Sequence, residues 1–183
     1  PFHGHVKHAL GWACWKTYLG RPEGSILWTA GMNQLGVGLK ACHTTEGYDE
    51  ALTIYETQLL TAQRLAQGLL GPQSSKIHNT LEKLLNLETQ LNHADCYTGL
   101  GMHGYALEYY RDVYVKQKGM LGVDSERTLF TAFSMGESLL TNGLFAEAKL
   151  FCRKNLNRSK RVLGRDHSTT FAFCSVYARS LFC

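Results

Sequence analysis

The stretch that decides the fold reads LGVDSERTLFTAFSMGESLLTNGLFAEAKLFCRKNLNRSKRVLG and runs from Leu121 to Gly164. A short phrase that begins with Leu-Gly stands at each of its ends, Leu121-Gly122-Val123-Asp124 and Leu163-Gly164-Arg165-Asp166. Similar phrases are Leu19-Gly20-Arg21-Pro22 and Leu70-Gly71-Pro72-Gln73, and the glycines of the four phrases are 51, 51 and 42 residues apart. A phrase that recurs every ~20 to 50 residues indicates stacked units, none of which buries its apolar face alone. We therefore expect function to lie on a surface rather than in a catalytic pocket.

The apolar spacing within this stretch predicts two helices joined by a turn. Asp124 is a suitable N-cap for the first helix, and Asn142-Gly143 is a typical helix-ending dipeptide. A second helix is expected from Phe145 to about Val162. The apolar stripe of the first helix consists of Leu129, Ala132, Met135, Gly136 and Leu139.

The same template fits the rest of the chain when insertions are allowed, and no β pattern competes with it. A longer Gly-rich loop is expected from Asp95 to Gly104, and close helix crossings are expected at Gly36 and Gly136. We predict an all-α fold, one helical repeat domain that is a fragment of a longer protein. Its predicted parts are a second half-repeat at 1–19, repeats at about 20–70, 71–121 and 122–163, and a first half-repeat at 164–183.

Composition supports a folded chain, because 44% of its residues are hydrophobic. No apolar stretch approaches the ~20 residues that cross a bilayer, so no membrane insertion is expected. Six cysteines lie at no framework spacing, which favours reduced thiols and a cytoplasmic location. Two of them, Cys152 and Cys174, fall where helix packing favours a small buried residue.

The net charge of +4 is unevenly distributed, because one segment of the chain is strongly basic. Between Lys149 and Arg165 there are seven cations and no acid, so the other residues carry 12 cations against 15 acids, or −3. Such a run is ordinarily a solvated helix face, and its alternative role is to bind RNA or an acidic surface. This basic patch consists of Lys149, Arg153, Lys154, Arg158, Lys160, Arg161 and Arg165.

These residues resemble a tetratricopeptide repeat protein of the kinesin light chain type, whose long repeats span about 42 residues. Leu163-Gly164-Arg165-Asp166-His167 matches the phrase between its repeats, and Thr128-Leu129 and Thr80-Leu81 match its helix start. Gly143-x-Phe145-x-Glu147-Ala148 and Tyr48-x-Glu50-Ala51 match its turn. The resemblance implies a right-handed superhelical solenoid of antiparallel helix pairs.

The resemblance also implies a function, which is non-catalytic binding of peptide segments of partner proteins in a concave groove. Polar residues of the first helices would hold an extended peptide backbone; Asn86 matches the Asn that does so in the family. Phenylalanines and scattered charges would select its side chains. Core packing remains the ordinary role for Phe130 and Phe133. The predicted groove residues are Asn33, Gln34, Lys40, Glu82, Asn86, Phe130, Phe133, Ser134, Glu137 and Arg179.

The sequence gives little support for a metal site, a cofactor site or catalysis. His93-x-x-Cys96 with His103 lacks the fourth ligand of a structural zinc site, so no metal is expected there. Neither a nucleophile motif nor a phosphate loop is found, and we predict no cofactor and no enzyme activity. The alternatives are the RNA- or acidic-surface-binding role of the basic patch, and a substrate-recruiting region of an enzyme whose catalytic domain lies outside this chain.

Overall fold

The protein is a succession of helices. The computed structural model describes the backbone of residues 2–20, 25–69 and 76–182, and the side chains of residues 5–20, 25, 27–61, 83 and 86–182. In these residues it forms eight α-helices and no strand, which confirms the all-α prediction. The helices are α1 Phe2–Tyr18, α2 Ile26–Lys40, α3 Thr45–Leu69, α4 Lys76–Gly99, α5 His103–Leu121, α6 Glu126–Thr141, α7 Phe145–Val162 and α8 Ser168–Arg179.

The repeated phrase lies between helices wherever it is described. Gly20, Gly122 and Gly164 follow the ends of α1, α5 and α7 and have positive φ angles of 86°, 85° and 95°. Only glycine adopts this backbone region without a steric cost, so the phrase ends a helix for a local reason. Gly71, with Pro22 and Pro72, lies outside the described residues.

Two sequence predictions about helix ends are wrong. The expected loop from Asp95 to Gly104 is mostly helix, because α4 continues to Gly99. A Cβ at Gly99 would overlap the ring of Tyr48, so this glycine allows a close contact and does not mark a turn. The N-cap of α6 is Ser125, not Asp124. The Asp124 carboxylate instead forms ion pairs with α7.

The chain divides into two compact units, unit 1 (Pro1–Gly101) and unit 2 (Met102–Cys183). In unit 1 each helix packs against the next one, and α2 also contacts α4. A Cβ at Gly36 in α2 would lie 2.5 Å from Cζ of Tyr55 in α3, which confirms the predicted close crossing. The core of this unit consists of Leu35, Leu39, Ala51, Tyr55 and Cys96.

Unit 2 repeats this arrangement with α5 to α8. Consecutive helices pack together, and α6 also contacts α8. A Cβ at Gly136 in α6 would lie 2.5 Å from Sγ of Cys152 in α7, so the second predicted crossing is also confirmed. The side chains that are completely buried in this unit include Leu129, Ala132, Leu139, Ala148, Cys152, Phe173 and Val176. The prediction of one continuous repeat domain over residues 1–183 stays a prediction.

Candidate functional site

The candidate site is the surface along the first helices of the predicted repeats, which are α2, α4, α6 and α8. In each unit two of these helices meet, α2 with α4 in unit 1 and α6 with α8 in unit 2. We call these contacts the unit 1 seam and the unit 2 seam. Nine of the ten predicted groove residues have described side chains; that of Glu82 lies outside the described residues.

The unit 1 seam is a chain of polar side chains. Lys40 Nζ donates to Asn92 Oδ1 at 2.8 Å and to Asp95 Oδ2 at 3.0 Å. Asn92 Nδ2 in turn donates to Asn33 Oδ1 at 3.0 Å. The Lys40 side chain is only 14% exposed, so its ammonium depends on these oxygens to replace water. Two predicted groove residues, Asn33 and Lys40, are therefore bonded to α4.

Tyr55 lies beneath this seam. Its ring is 5.8 Å from Lys40 Nζ, close enough for a cation–π contact, and the residue is fully buried. Burial, with smaller effects of Cys96 and Asp95, raises the pKa of the Tyr55 hydroxyl far above its ordinary value. The hydroxyl is therefore protonated at any physiological pH. It makes no hydrogen bond to the described residues.

The unit 2 seam is aromatic. Phe133 of α6 meets Phe173 of α8 edge to face, with ring centroids 6.1 Å apart. Phe130 lies one helical turn before Phe133, 6.2 Å from it. Exposure rises along this row, because Phe173 is completely buried, Phe133 is half-buried and Phe130 is 47% exposed. The row thus leads from the core to a solvent-facing aromatic surface, and Phe130 is not a core residue.

A pair of opposite charges continues the unit 2 seam. Arg179 Nη1 of α8 donates to both carboxylate oxygens of Glu137 in α6, at 2.8 and 2.7 Å. The side chains are 52% and 31% exposed, so solvent screens their attraction. Because Glu137 is four residues after Phe133, the ion pair and the rings lie on the same side of α6. The seam offers both charges and an apolar surface to a partner.

Three further predicted groove residues have no part in these seams. Gln34 is exposed, and Asn86 and Ser134 are half-buried. Sequence reasoning missed Asn92, Asp95 and Phe173, all of which contact predicted groove residues. Asn92 and Asp95 are three residues apart, a spacing that places them on one face of a helix, but the sequence predicts a loop that begins at Asp95.

The basic patch is partly neutralised. Arg158 Nε and Arg161 Nη2 each lie 3.2 Å from Asp124 Oδ1, and Arg158 Nη1 also donates to Asn155 Oδ1 at 3.0 Å. The other five cations of the patch are exposed, and no described carboxylate lies within ion-pair distance of them. They are Lys149, Arg153, Lys154, Lys160 and Arg165.

Most of the described cysteines and histidines lie in helices, whereas Cys42, His43 and His167 lie in the connections between them. Burial raises the pKa of Cys96 to about 12 and that of Cys152 to about 11, so both thiols are protonated at neutral pH. Cys14, Cys42 and Cys174 are half-buried and free, so Cys174 does not occupy the buried position that its spacing predicts. The described part of the chain contains no group of three His, Cys, Asp or Glu side chains placed to hold a metal. His93 is buried in α4, with its Nε2 3.6 Å from Glu56 Oε1.

No family model matches this chain, and no curated protein is significantly similar to it. The resemblance to tetratricopeptide repeats therefore rests on the residues of this sequence. Among the described helices, none has both the length and the apolar character that a membrane crossing requires.

Proposed function

We propose that the chain is a tetratricopeptide-like right-handed superhelical solenoid of the kinesin light chain type. Three observations support this architecture. Consecutive helices pack together, the first helices of neighbouring repeats touch within each unit, and a small residue occupies the helix crossing in both units. Connections as short as the one from Asn142 to Leu144 allow only an antiparallel return of the next helix.

We propose that this solenoid is a non-catalytic scaffold that binds peptide segments of partner proteins along its first helices. The observation that carries the proposal is the unit 2 seam, where Phe130 and Phe133 are accessible beside the Glu137–Arg179 pair. Accessible aromatic side chains next to charges are the composition of protein-binding surfaces. A bound segment would place an apolar side chain on the rings and a charged one near the ion pair.

The two seams would contribute differently to such binding. In unit 1, Asn33 and Lys40 already have partners on α4, so a peptide would have to compete with those bonds. The exposed Gln34 and the half-buried Asn86 remain the better candidates for bonds to a peptide backbone. A segment bound on unit 2 would thus be selected by apolar contacts, and a segment bound on unit 1 would be held by bonds to its backbone.

The absence of catalysis and the cytoplasmic location are parts of the same proposal. The raised pKa values of Cys96 and Cys152 remove both thiols as nucleophiles near neutral pH. Three free, half-buried cysteines in unpaired positions fit a reducing compartment.

The proposal is tested with peptides selected on the wild-type protein from a random display library. Their dissociation constants would be measured by fluorescence anisotropy for Phe133→Ala, Phe130→Ala and Asn86→Ala. We expect each variant to weaken binding at least ~5-fold, with helicity unchanged, because truncation removes ~1 kcal/mol or more of contact. Leu150→Ala is the matched control, since Leu150 is 71% exposed on α7. Binding that survives all three groove variants would end the proposal.

A second candidate function is binding of RNA or an acidic surface by the basic patch. Its support is the row of exposed cations on α7 without a carboxylate neighbour among the described residues. Against it, Asp124 neutralises part of the patch. Replacing Lys154 and Lys160 by Ala would abolish this binding and reduce its dependence on salt, but would leave groove binding intact.

A further inference from the structure

The exposed side of α7 combines cations with a large apolar residue. Leu150 is 71% exposed. Arg153 and Lys154 follow it at spacings of three and four residues, so the three side chains are neighbours on one helix face, and both cations are exposed. Two uncharged exposed residues, Ala146 and Asn157, continue the line of Leu150 along the helix. The face is therefore an uncharged stripe with cations beside it.

This side of the helix is exposed because of its position in the repeat. Residues of α5 correspond to residues of α7 that lie 42 positions later, as Gly122 corresponds to Gly164. The counterparts of Leu150, Lys154, Asn157 and Lys160 are Glu108, Asp112, Val115 and Lys118. All four counterparts are exposed, although α7 contacts α5 from the side. The outward side of such a helix thus stays open when another helix lies next to it. We call the outward sides of α5 and α7 the outer face of unit 2.

Side chains fill the space between α5 and α7 on this face. Tyr114 meets Phe151 edge to face, with ring centroids 5.6 Å apart. Arg111 Nη2 donates to both carboxylate oxygens of Glu147, at 2.8 and 3.0 Å. Val115, which follows Tyr114, is 65% exposed, as Leu150 is beside Phe151. The outer face therefore presents two apolar side chains, one on each helix, at the level of the ring contact.

The charge of the outer face favours an anionic partner. Two of its carboxylates are paired, Asp112 with Lys116 and Glu147 with Arg111. Among the described residues, one acid of α5 and α7 has no ion-pair partner, Glu108, against five exposed cations without one. These cations are Lys118, Lys149, Arg153, Lys154 and Lys160.

An anionic bilayer fits these features better than RNA or an acidic protein does. Lipid phosphates and carboxylates would meet the cations, and the boundary of the acyl chains would take up Leu150 and Val115. RNA phosphates would use the cations but gain nothing from the apolar residues. A partner helix needs a groove, and Tyr114 and Phe151 occupy the space where one would form.

We propose that the outer face of unit 2 binds the surface of an anionic lipid bilayer. Leu150 and Val115 enter the headgroup region, the cations contact the headgroups, and the helices lie on the bilayer without crossing it. This role is separate from peptide binding along the first helices. It rests on the second candidate function, since it assigns a lipid partner to the basic patch.

Co-sedimentation with vesicles tests the proposal on the full chain. Vesicles of phosphatidylcholine alone are compared, in about 0.1 M salt, with vesicles that also contain about 30% phosphatidylserine. The wild type should bind the anionic vesicles at least ~10-fold more tightly. Lys154→Ala and Lys160→Ala should each lower this affinity about 5-fold, the contribution of one cation near such a surface. Arg127→Ala is the matched control, because it removes the same charge from an exposed position on α6, and it should lower the affinity less than ~2-fold.

Leu150→Ala distinguishes a bilayer from other acidic partners. It should lower binding to the anionic vesicles at least ~3-fold, because the bound side chain leaves water, and should leave binding of poly(U) RNA or polyglutamate unchanged. Phe130→Ala, at a 47% exposed position on α6, is the apolar control and should bind vesicles like the wild type. Peptides selected for the groove should show the opposite order, so the two proposals can fail independently.

Three results would overturn the proposal. The first is equal affinity of the wild type for both kinds of vesicle; binding of poly(U) or polyglutamate would then assign the basic patch to RNA or to an acidic protein. The second is an equal loss in Lys154→Ala and Arg127→Ala. The third is unchanged vesicle binding in Leu150→Ala. All the substituted side chains are exposed, so circular dichroism should show unchanged helicity in every variant.

Discussion

The unit 1 seam joins its first helices by a polar chain, whereas the unit 2 seam joins them by stacked rings and an exposed ion pair. Both units nevertheless place a glycine at the crossing between the two helices of a pair, Gly36 under Tyr55 and Gly136 under Cys152. The scaffold is thus the same, and the side chains beside it differ. The comparison teaches that helix packing in this fold leaves the chemistry of the inner face free to vary from repeat to repeat.

The largest expected effect concerns the two glycines. Gly36→Ala should destabilise the protein by about 3 kcal/mol, because its Cβ would meet the buried, rigid ring of Tyr55. Gly136→Ala should cost about 1 kcal/mol, since its Cβ meets one sulfur atom that can turn away. Urea denaturation measures both. Equal losses would show that the two crossings are equally tight.

Further substitutions at and beside Gly136 test the crossing in unit 2 in more detail. Gly136→Leu should destabilise by at least ~3 kcal/mol, whereas Glu137→Ala, next to it but partly exposed, should cost at most ~1 kcal/mol. Adding Cys152→Ala to Gly136→Ala should recover part of the loss, because it removes the atom that the new methyl group meets. If no stability were recovered, Cys152 would not be the source of the clash.

The next largest expected effect is a difference in coupling energy between the ion pairs of the two seams, which double-mutant cycles measure. Lys40 is 14% exposed, and Asp95→Asn removes its only described carboxylate partner, so we expect a coupling energy of about 1 to 2 kcal/mol. Glu137 and Arg179 are more exposed, and their coupling should be at most ~1 kcal/mol and should fall in high salt. A larger coupling energy for Glu137–Arg179 than for Lys40–Asp95 would contradict the inference that the ion pair of the unit 1 seam is the less solvated one.

A smaller effect is a pH dependence in unit 1. Burial lowers the pKa of His93, and the nearby Glu56 opposes this only partly. The unfolded chain, with an ordinary histidine pKa near ~6.5, then binds the proton more readily than the folded chain. Stability is complete above that pH and falls as the pH drops toward the lower, folded pKa.

Hydrogen exchange of α3 and α4 measures this loss. When the pH is lowered from about 7.5 to about 5.5, exchange in these helices should slow less than the intrinsic pH dependence of amide exchange predicts, because the helices open more often. His93→Gln should remove that excess, because a neutral amide binds no proton in this range. A pH profile that is unchanged in His93→Gln would assign the effect to another group.

The smallest expected effect is a difference in the loss of stability when cations of α7 with and without an ion pair are replaced by Ala. Arg158 has an 18% exposed side chain and bonds to Asp124 and Asn155, so Arg158→Ala should cost about 1 kcal/mol. Lys154 is exposed without such bonds, and Lys154→Ala should change stability by less than ~0.5 kcal/mol. Thermal melts compare them. Equal costs would mean that the Asp124 contact contributes nothing.

The sequence by itself determined the helices, most of their ends and the two tight crossings. These features depend on local rules: the apolar spacing of the helix, the freedom of Gly122 and Gly164 to take positive φ, and the need for a small residue where helices touch. It erred at Gly99, where the same residue type serves a contact with Tyr48 instead of a turn.

Only the tertiary structure decided which side chains of the first helices have partners. Lys40 lies 52 residues from Asn92 and 55 from Asp95, and Glu137 lies 42 from Arg179. Whether such residues meet depends on how each helix is rotated about its axis against its neighbour, and that rotation follows from the packing of the whole unit. The repeat pattern could therefore place these residues on first helices. It could not show that the polar side chains of the unit 1 seam bond to one another while Phe130 stays exposed.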